Sequence, residues 1–442
     1  MQGKQPTQAR DMVKSIVDAQ PERSEIMFDP YLTSSHPFVS AMADNLAFPY
    51  EHYWTRRKQK MRDADRESLK TILRVIVANL AKASFEGLEP PQIAVHLRAA
   101  KQKRTRYDRN GFNGLQKILE TVTANHGGFA LVKSHQKGIA SALKADDSFK
   151  ETMGRFTFRP EHFEQAPGRE TVSLAQVTSR DYVVGTVQRE LIDYADTPET
   201  KRYREEMATI NEALRKADMR VLPDGGPPVL TSLRSLRRCF NSPDGSERFD
   251  LGGRLFDGWW ETLNRTRRKF IRLEGEPVAE LDFASLFLRL AYLQVDQTPP
   301  DGDLYAAVGS GLSSAFWRDG VKQVVNAMLF QTTPMKRLPK DVKELLPPRA
   351  SASTVRSAIL AAHPAIEPVF ERGLGLHLMF IESQILIAAL LRLIRQGCPV
   401  ALPLHDSILA PRSWAATVEQ AMRDAAEEVV GFRLPIALKQ NN

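Results

Sequence analysis

Between Pro277 and Tyr292 the chain changes its hydrophobic period, and that change restricts what this region can fold into. Pro277-Val278-Ala279 leads into a short apolar run that stops at an acid, Asp282. Leu286, Leu290 and Leu293 then recur at spacings of three to four, the period of a helix. A carboxylate at the exit of a strand, facing a helix start, is a common way to present a metal ligand. Aspartate also caps helices well, and for the stretch by itself the cap is the better reading.

At 442 residues the chain is long enough for two or three domains, each with its own core. Hydrophobic residues make up 42% and charged residues 26%, a balance that suits a soluble globular protein. A net charge of +8 favours a polyanionic partner, most simply nucleic acid. The two cysteines, Cys239 and Cys398, exclude a disulfide framework and a cysteine-based zinc site. Met1 to Arg10 is polar, without the apolar core of a secretory signal. The apolar run Ile385–Ile394 is interrupted by Arg392 and is too short to span a bilayer. The expectation is a cytoplasmic protein with no membrane partner.

In the amino-terminal half, residues up to about Pro49 show weak periodicity and read as an irregular lead-in. His52 to Lys60 is basic with two aromatics, and a solvated helix face accounts for it. Ser68–Ala83 is predicted helical, with Leu69, Ile72, Leu73, Ile76, Val77 and Leu80 on one stripe. Pro90-Pro91 opens a predicted second helix carrying Ile93, Val95 and Leu97, followed by a basic turn at Lys101–Tyr107. A third helix, Leu115–Thr123, stops at Asn125-His126-Gly127-Gly128. Phe129–Val132 and Arg155–Phe158 read as short strands. Three helices and a two-stranded wing resemble a winged helix-turn-helix module, which implies docking on DNA or RNA; a protein-interaction spacer is the plainer use of the same fold. Residues 161–190 read as a connector with a strand at Tyr182-Val183-Val184, and Thr197 caps a charged helix running to Ala217. Pro223–Pro228 is the clearest breaker. The expected division is 1–160, 161–228 and 229–442.

Chemistry concentrates after that breaker. Arg234, Arg237, Arg238, Arg254, Arg265, Arg267, Arg268 and Arg272 crowd together, interleaved with Phe240, Phe249, Phe256, Trp259 and Trp260. Arginines among aromatics suit a polynucleotide backbone and its bases. Gly252-Gly253 permits close approach of backbone to a strand. In the helix predicted over Phe316–Phe330, Arg318, Lys322, Asn326 and Phe330 recur every four residues and share one face. Arginine and lysine one turn apart suit a triphosphate, although such pairs are ordinarily the wet side of an amphipathic helix. Ile381–Arg395 is a long apolar helix. Val400–Leu404 and Ile408–Ala410 then read as a hairpin with His405-Asp406-Ser407 at its tip. Asp and Ser favour turns in any case, but a carboxylate held there could share a metal with Asp282.

These stretches, in this order, resemble motifs A, B and C of the family A DNA polymerases and the related single-subunit phage-type RNA polymerases. Motif A is matched by Asp282 to Arg289, motif B by Arg318, Lys322 and Phe330, and motif C by His405-Asp406. Gly252-Gly253-Arg254-Leu255 resembles the family's primer–template segment. The likeness covers roughly Asp250 to Arg412. It implies an α+β fold: a palm with an antiparallel sheet and helical fingers, preceded by the mainly helical winged-helix-like domain.

The resemblance further implies two-metal phosphoryl transfer. Asp282 and Asp406 would hold two Mg2+ ions about 4 Å apart, with Mn2+ as a substitute. Arg318 and Lys322 would grip the nucleoside triphosphate, with Asn326 on the same face, and Phe330 would pack against the nascent base pair. His405 would steady the primer end. Arg254, Arg267, Arg268 and Arg289 would face the DNA primer–template. Where the DNA polymerases carry a glutamate that blocks a ribose 2′-hydroxyl, this chain has Phe287, which favours deoxynucleotides. Ser407 after Asp406 instead matches the RNA polymerases. No proofreading site is expected. The alternatives are an RNA- or primer-synthesising or template-independent polymerase and, from another class, a non-catalytic nucleic-acid-binding regulator with a degenerate palm.

Overall fold

A computed structural model describes residues 26–439, except 56–60, 89–90, 98–114, 126–127, 135–139, 182–185, 310–311, 313–316 and 340–341. The chain is α+β and divides into two compact units that interleave along the sequence. One comprises residues up to Thr171 with Met219–Ser235 and Asp257–Arg272; the other comprises Val172–Asp218, Leu236–Phe256 and Leu273 onward.

In the first unit, strands β1 (Ile26–Met27) and β2 (Leu32–Ser34) precede helices α1 (Pro37–Thr55) and α2 (Asp63–Phe85). These are followed by β3 (Gln92–Val95), α3 (Leu115–Asn125), β4 (Phe129–Val132), β5 (Ser141–Ala145), α4 (Asp147–Gly154) and β6 (Phe163–Gln165). A four-stranded sheet runs in the order β1-β3-β5-β4, and β2 pairs with β6. The α2 stripe is buried as its spacing requires, with Leu73, Val77, Ala78 and Leu80 fully enclosed.

Four expectations for this region are corrected. The described part of the lead-in, from Ile26, is structured: α1 starts at Pro37 and buries Val39, Ala43 and Leu46. The expected second helix is the strand β3, whose Ile93 and Val95, with Leu97 just beyond it, recur every two residues, the period of a strand and not of a helix. Arg155–Phe158 is no strand; it leaves α4 as a loop whose Phe158 ring stacks on His36 at 4.2 Å. The strand that pairs with β4 is β5, upstream of Arg155–Phe158. Of the five elements that suggested a winged helix, the first and third helices and the strand Phe129–Val132 are present, and the second helix and the second strand are not. The basic turn Lys101–Tyr107 and the segment Tyr182–Val184 lie outside the described residues.

The second unit opens with a long hairpin, β7 (Val172–Asp181) and β8 (Thr186–Ile192), where a connector was expected. Helix α5 (Pro198–Lys216) follows, capped by Thr197, whose hydroxyl accepts from the Thr200 amide at 3.1 Å. Strand β9 (Arg237–Asn241) pairs in parallel with β7 and antiparallel with β10 (Gly252–Phe256). Gly252 and Gly253 have φ of +76° and +79°. A Cβ on Gly253 would sit 2.8 Å from Ser383 Oγ and 2.9 Å from the Phe240 ring, so the close approach expected of the pair is present.

Next come β11 (Glu276–Phe283), α6 (Leu286–Leu293), α7 (Arg318–Phe330), α8 (Ala352–Ala362), α9 (Gly375–Arg395), the hairpin β12 (Leu402–Leu404) and β13 (Ser407–Pro411), α10 (Ala415–Val430) and β14 (Ile436–Lys439). Strand β11 pairs antiparallel with both β13 and β14. Helix α9 is long and apolar enough by composition to cross a membrane. Its residues Leu378, Ile385, Ala389, Leu390 and Leu393 are buried in this unit, and it packs along α10, β10 and α5.

Candidate active site

Asp282 is the next-to-last residue of β11 and does not cap the following helix. That position belongs to Ser285, which adopts a left-handed φ of +52° and makes no side-chain cap bond. Val278, Ala279 and Leu281 are buried in the sheet, with Glu280 enclosed among them. The run ends where the backbone must turn into α6, and this leaves Asp282 at the exit.

Opposite it, β12 and β13 form a hairpin with Leu404 paired to Ser407, so His405 and Asp406 are the whole loop. His405 has a φ of +56°, a conformation that non-glycine residues adopt mainly where surrounding structure imposes it. In the β11–β13 ladder Asp282 is paired with Ser407, and the Phe283 amide donates to the Asp406 carbonyl at 3.2 Å. The two aspartates are therefore brought together from positions far apart in sequence.

Their proximity shows in the electrostatics. The Asp282 carboxyl is pushed up to about 6, by burial first and by the charge of Asp406 second, while Lys439 and Lys322 oppose the shift. Lys439 Nζ lies 2.9 Å from Asp282 Oδ1. A carboxylate must be deprotonated to hold a metal. Mn2+ affinity is therefore expected to be flat above about pH 7 and to fall roughly tenfold per pH unit well below pH 6. Titrating Mn2+ binding between pH 5 and 8 checks this, and an Asp282→Asn variant should lose Mn2+ binding across that range.

On α7, Gly320, Val321, Val324, Val325, Met328 and Leu329 are buried, whereas Arg318, Lys322, Asn326 and Phe330 form a less buried row. The four-residue spacing thus yields one face. Arg318 is hydrogen-bonded to Asp303 and lies 5.3 Å over the Tyr305 ring. Burial would raise the Asp303 carboxyl, but this arginine holds it below its ordinary value. Asn326 Oδ1 is buried with no hydrogen-bond partner among the described residues. Phe330 is 38% exposed and its ring lies 6.0 Å from that of Phe287, which is 8% exposed.

Two residues were not singled out in the sequence. Glu382 sits in the apolar helix α9, 2% exposed, and its Oε2 accepts from Arg254 Nε at 3.1 Å and Nη2 at 2.6 Å. Its Oε1 is buried without a hydrogen-bond partner among the described residues. Burial drives its carboxyl up to about 7 against the Arg254 charge, with Asp406 and Asp282 adding to the rise. A lone acid within Ile381–Arg395 was the available signal. Tyr305, 2% exposed, is held above its ordinary range by burial and then by the Asp406 charge. Nothing in its local pattern marks it.

The expected arginines separate. Arg254 lies at the site, its guanidinium 5.5 Å over the Phe287 ring and paired to Glu382. Arg289 does not face a ligand surface: it is 3% exposed and donates to the carbonyls of Ala284, Pro300 and Gly302 at 2.7–2.9 Å. It is a brace for the loop after α6, and this corrects its nucleic-acid role. Arg267 and Arg268 belong to the other unit, where Arg267 is held by Asp224 and by the Pro227 carbonyl at 2.7 Å.

The donor set suits a hard divalent cation, since it is all carboxylate oxygen. A cation, the Lys439 ammonium, already rests on Asp282, and the orphaned Glu382 oxygen leaves further acceptor capacity. Among the described residues no cluster of three or more His, Cys, Asp or Glu could hold a metal ion.

No family model and no curated protein matches this chain. Among solved structures it is similar to the POL domain of Pol1 from M. smegmatis in complex with DNA primer-template and dNTP. The match is at 12% identity and a TM-score of 0.30, covering 90% of this chain and 80% of that one. A likeness at that TM-score decides nothing here about the function of the site.

Proposed function

We propose that the protein is a template-directed nucleotidyltransferase, a compact DNA polymerase with a palm-like second unit and no proofreading activity. The observation that supports it is the closeness of Asp282 to Asp406, which the Asp282–Ser407 ladder pair and the Phe283 amide bond to the Asp406 carbonyl bring about, with Lys322 within the electrostatic reach of Asp282. The order of the motifs along the sequence supports it independently.

On this reading Asp282 and Asp406 hold divalent magnesium. The metal supplies charge neutralisation at the transferring phosphate and a more acidic primer 3′-hydroxyl. Lys322 and Arg318 meet the triphosphate, one as a point charge and the other as a planar fork. Arg318 must exchange Asp303 for phosphate, so Asp303 presets its direction before substrate arrives. Phe330 offers an exposed ring to a base, and His405, locked by its loop, faces the primer end.

Incubation with Mg2+, labelled primer–template and either dNTPs or rNTPs tests the proposal. Template-dependent extension is the expected result. No extension with any primer, template or metal would overturn it, and removal of mismatched 3′ ends by wild type would overturn the absence of proofreading. Phe287, sandwiched between Arg254 and Phe330, is the proposed sugar discriminator. Phe287→Ala is expected to raise rNTP incorporation relative to dNTP by about tenfold, the scale on which pocket shape discriminates. An unchanged ratio in a folded variant would leave Phe287 as packing alone.

A further inference from the structure

Strand β14 lies antiparallel to β11 with Lys439 opposite Glu280. Residues two apart on a strand share a face, so Glu280 and Asp282 present their carboxylates on one side and Lys439 reaches both. Its Nζ is 3.0 Å from Glu280 Oε1 and 2.9 Å from Asp282 Oδ1. Glu280 is 2% exposed, and the transfer chemistry proposed above gives it no task. Neutralising Glu280 alone would not require the ammonium to bridge onto the neighbouring acid. The bridge places a fixed positive charge on an oxygen that a metal would also use. Two cations on one carboxylate repel, and at these distances in a half-buried setting the repulsion is substantial. The lysine stem has free rotation, and Glu280 offers it a second resting place one step further from the exit of the strand.

We propose that Lys439 is a tethered counter-cation that competes with the divalent metal for Asp282, and that Glu280 is the carboxylate on which it rests once the metal has bound. The proposal builds on the reading of Asp282 and Asp406 as metal ligands. It makes Lys439 and Glu280 positioning residues that set the metal concentration the site requires. In the metal-free protein Lys439 also keeps two like-charged aspartates from forcing the strand ends apart.

The test is Mn2+ binding to the full chain without nucleotide or nucleic acid, read from the electron paramagnetic resonance signal of free Mn2+. Lys439→Met is expected to tighten binding by about tenfold or more, the scale of one close charge. Glu280→Gln should weaken it several-fold by leaving Lys439 to Asp282 alone, and the double variant should match Lys439→Met. Lys439→Gln gives the same readout if the methionine variant fails to fold. Unchanged or weaker binding in both folded Lys439 variants would overturn the competition. Unchanged or tighter binding in Glu280→Gln would overturn the resting-place role. Wild-type binding that survives in Asp282→Asn, or no binding by any variant, would instead overturn the metal site, and this inference with it.

Discussion

Asp282→Ala and Asp406→Ala are each expected to lower primer extension by about 10³-fold or more, the usual scale for removing a group that stabilises charge in the transition state. Neither substitution should unfold the chain, and Asp282→Ala should stabilise it. The Asp282 carboxyl is raised to about 6 in the folded protein, by burial and then by Asp406. A group raised in this way favours the fold below its unfolded value, near 4, and loses that contribution as pH climbs through about 6. At pH 7.5 the ionised form therefore works against the fold of the metal-free protein. Urea unfolding of wild type should show stability falling between pH 5 and 8, and Asp282→Ala should flatten the curve. Equal extension by the alanine variants would sink the site assignment. A variant less stable than wild type at pH 8 would sink the electrostatic account.

Arg238→Ala is expected to cost about 3–5 kcal/mol, the penalty for breaking a buried ion pair from one side. Arg238 is fully buried; it pairs with Glu206 at 3.0 Å and donates to the Gly253 carbonyl and to Ser383 Oγ, both at 3.2 Å. Its guanidinium lies 4.4 Å over the Tyr203 ring. The same side chain ties β9, β10, α5 and α9 together, and Arg254 and Glu382 sit on two of those elements. Chemical denaturation with circular dichroism measures the loss; a cost below about 1 kcal/mol would mean that water or a neighbour replaces the pair. In the sequence Arg238 was one of eight crowded arginines assigned jointly to a polynucleotide surface, which is the opposite of its place.

Much of the site was legible because its signals are local. A strand ending in an acid, a four-residue spacing on a helix and a two-residue turn each constrain short stretches of backbone, and the structure has all three. Glu382 and Lys439 were not legible, because their partners, Arg254 and Asp282, lie 128 and more residues away. Arg289 failed for a related reason. Charge composition cannot tell a guanidinium facing solvent from one whose donors are consumed by carbonyls of its own loop. In the first unit the misread segments are those where short apolar runs fit both periods, and β3 shows that spacing by two should have decided. The long hairpin β7–β8 was hidden by mixed polarity: paired strands satisfy their backbone whatever their side chains.

The place of Asp282 in its sheet also sets when the site can form. The strands that pair along it come from near residues 407 and 437, and the Glu280–Lys439 bond closes a separation of 159 residues. Such long loops must close before their contacts repay the entropy, which slows folding. During synthesis, Asp282 leaves the ribosome well before any strand that can flank it. Until those strands arrive, the strand has only Ile271–Leu273 beside it, and its open edge is of the kind that pairs with other chains. On the proposed reading, chemical competence is therefore a late event in the life of each molecule.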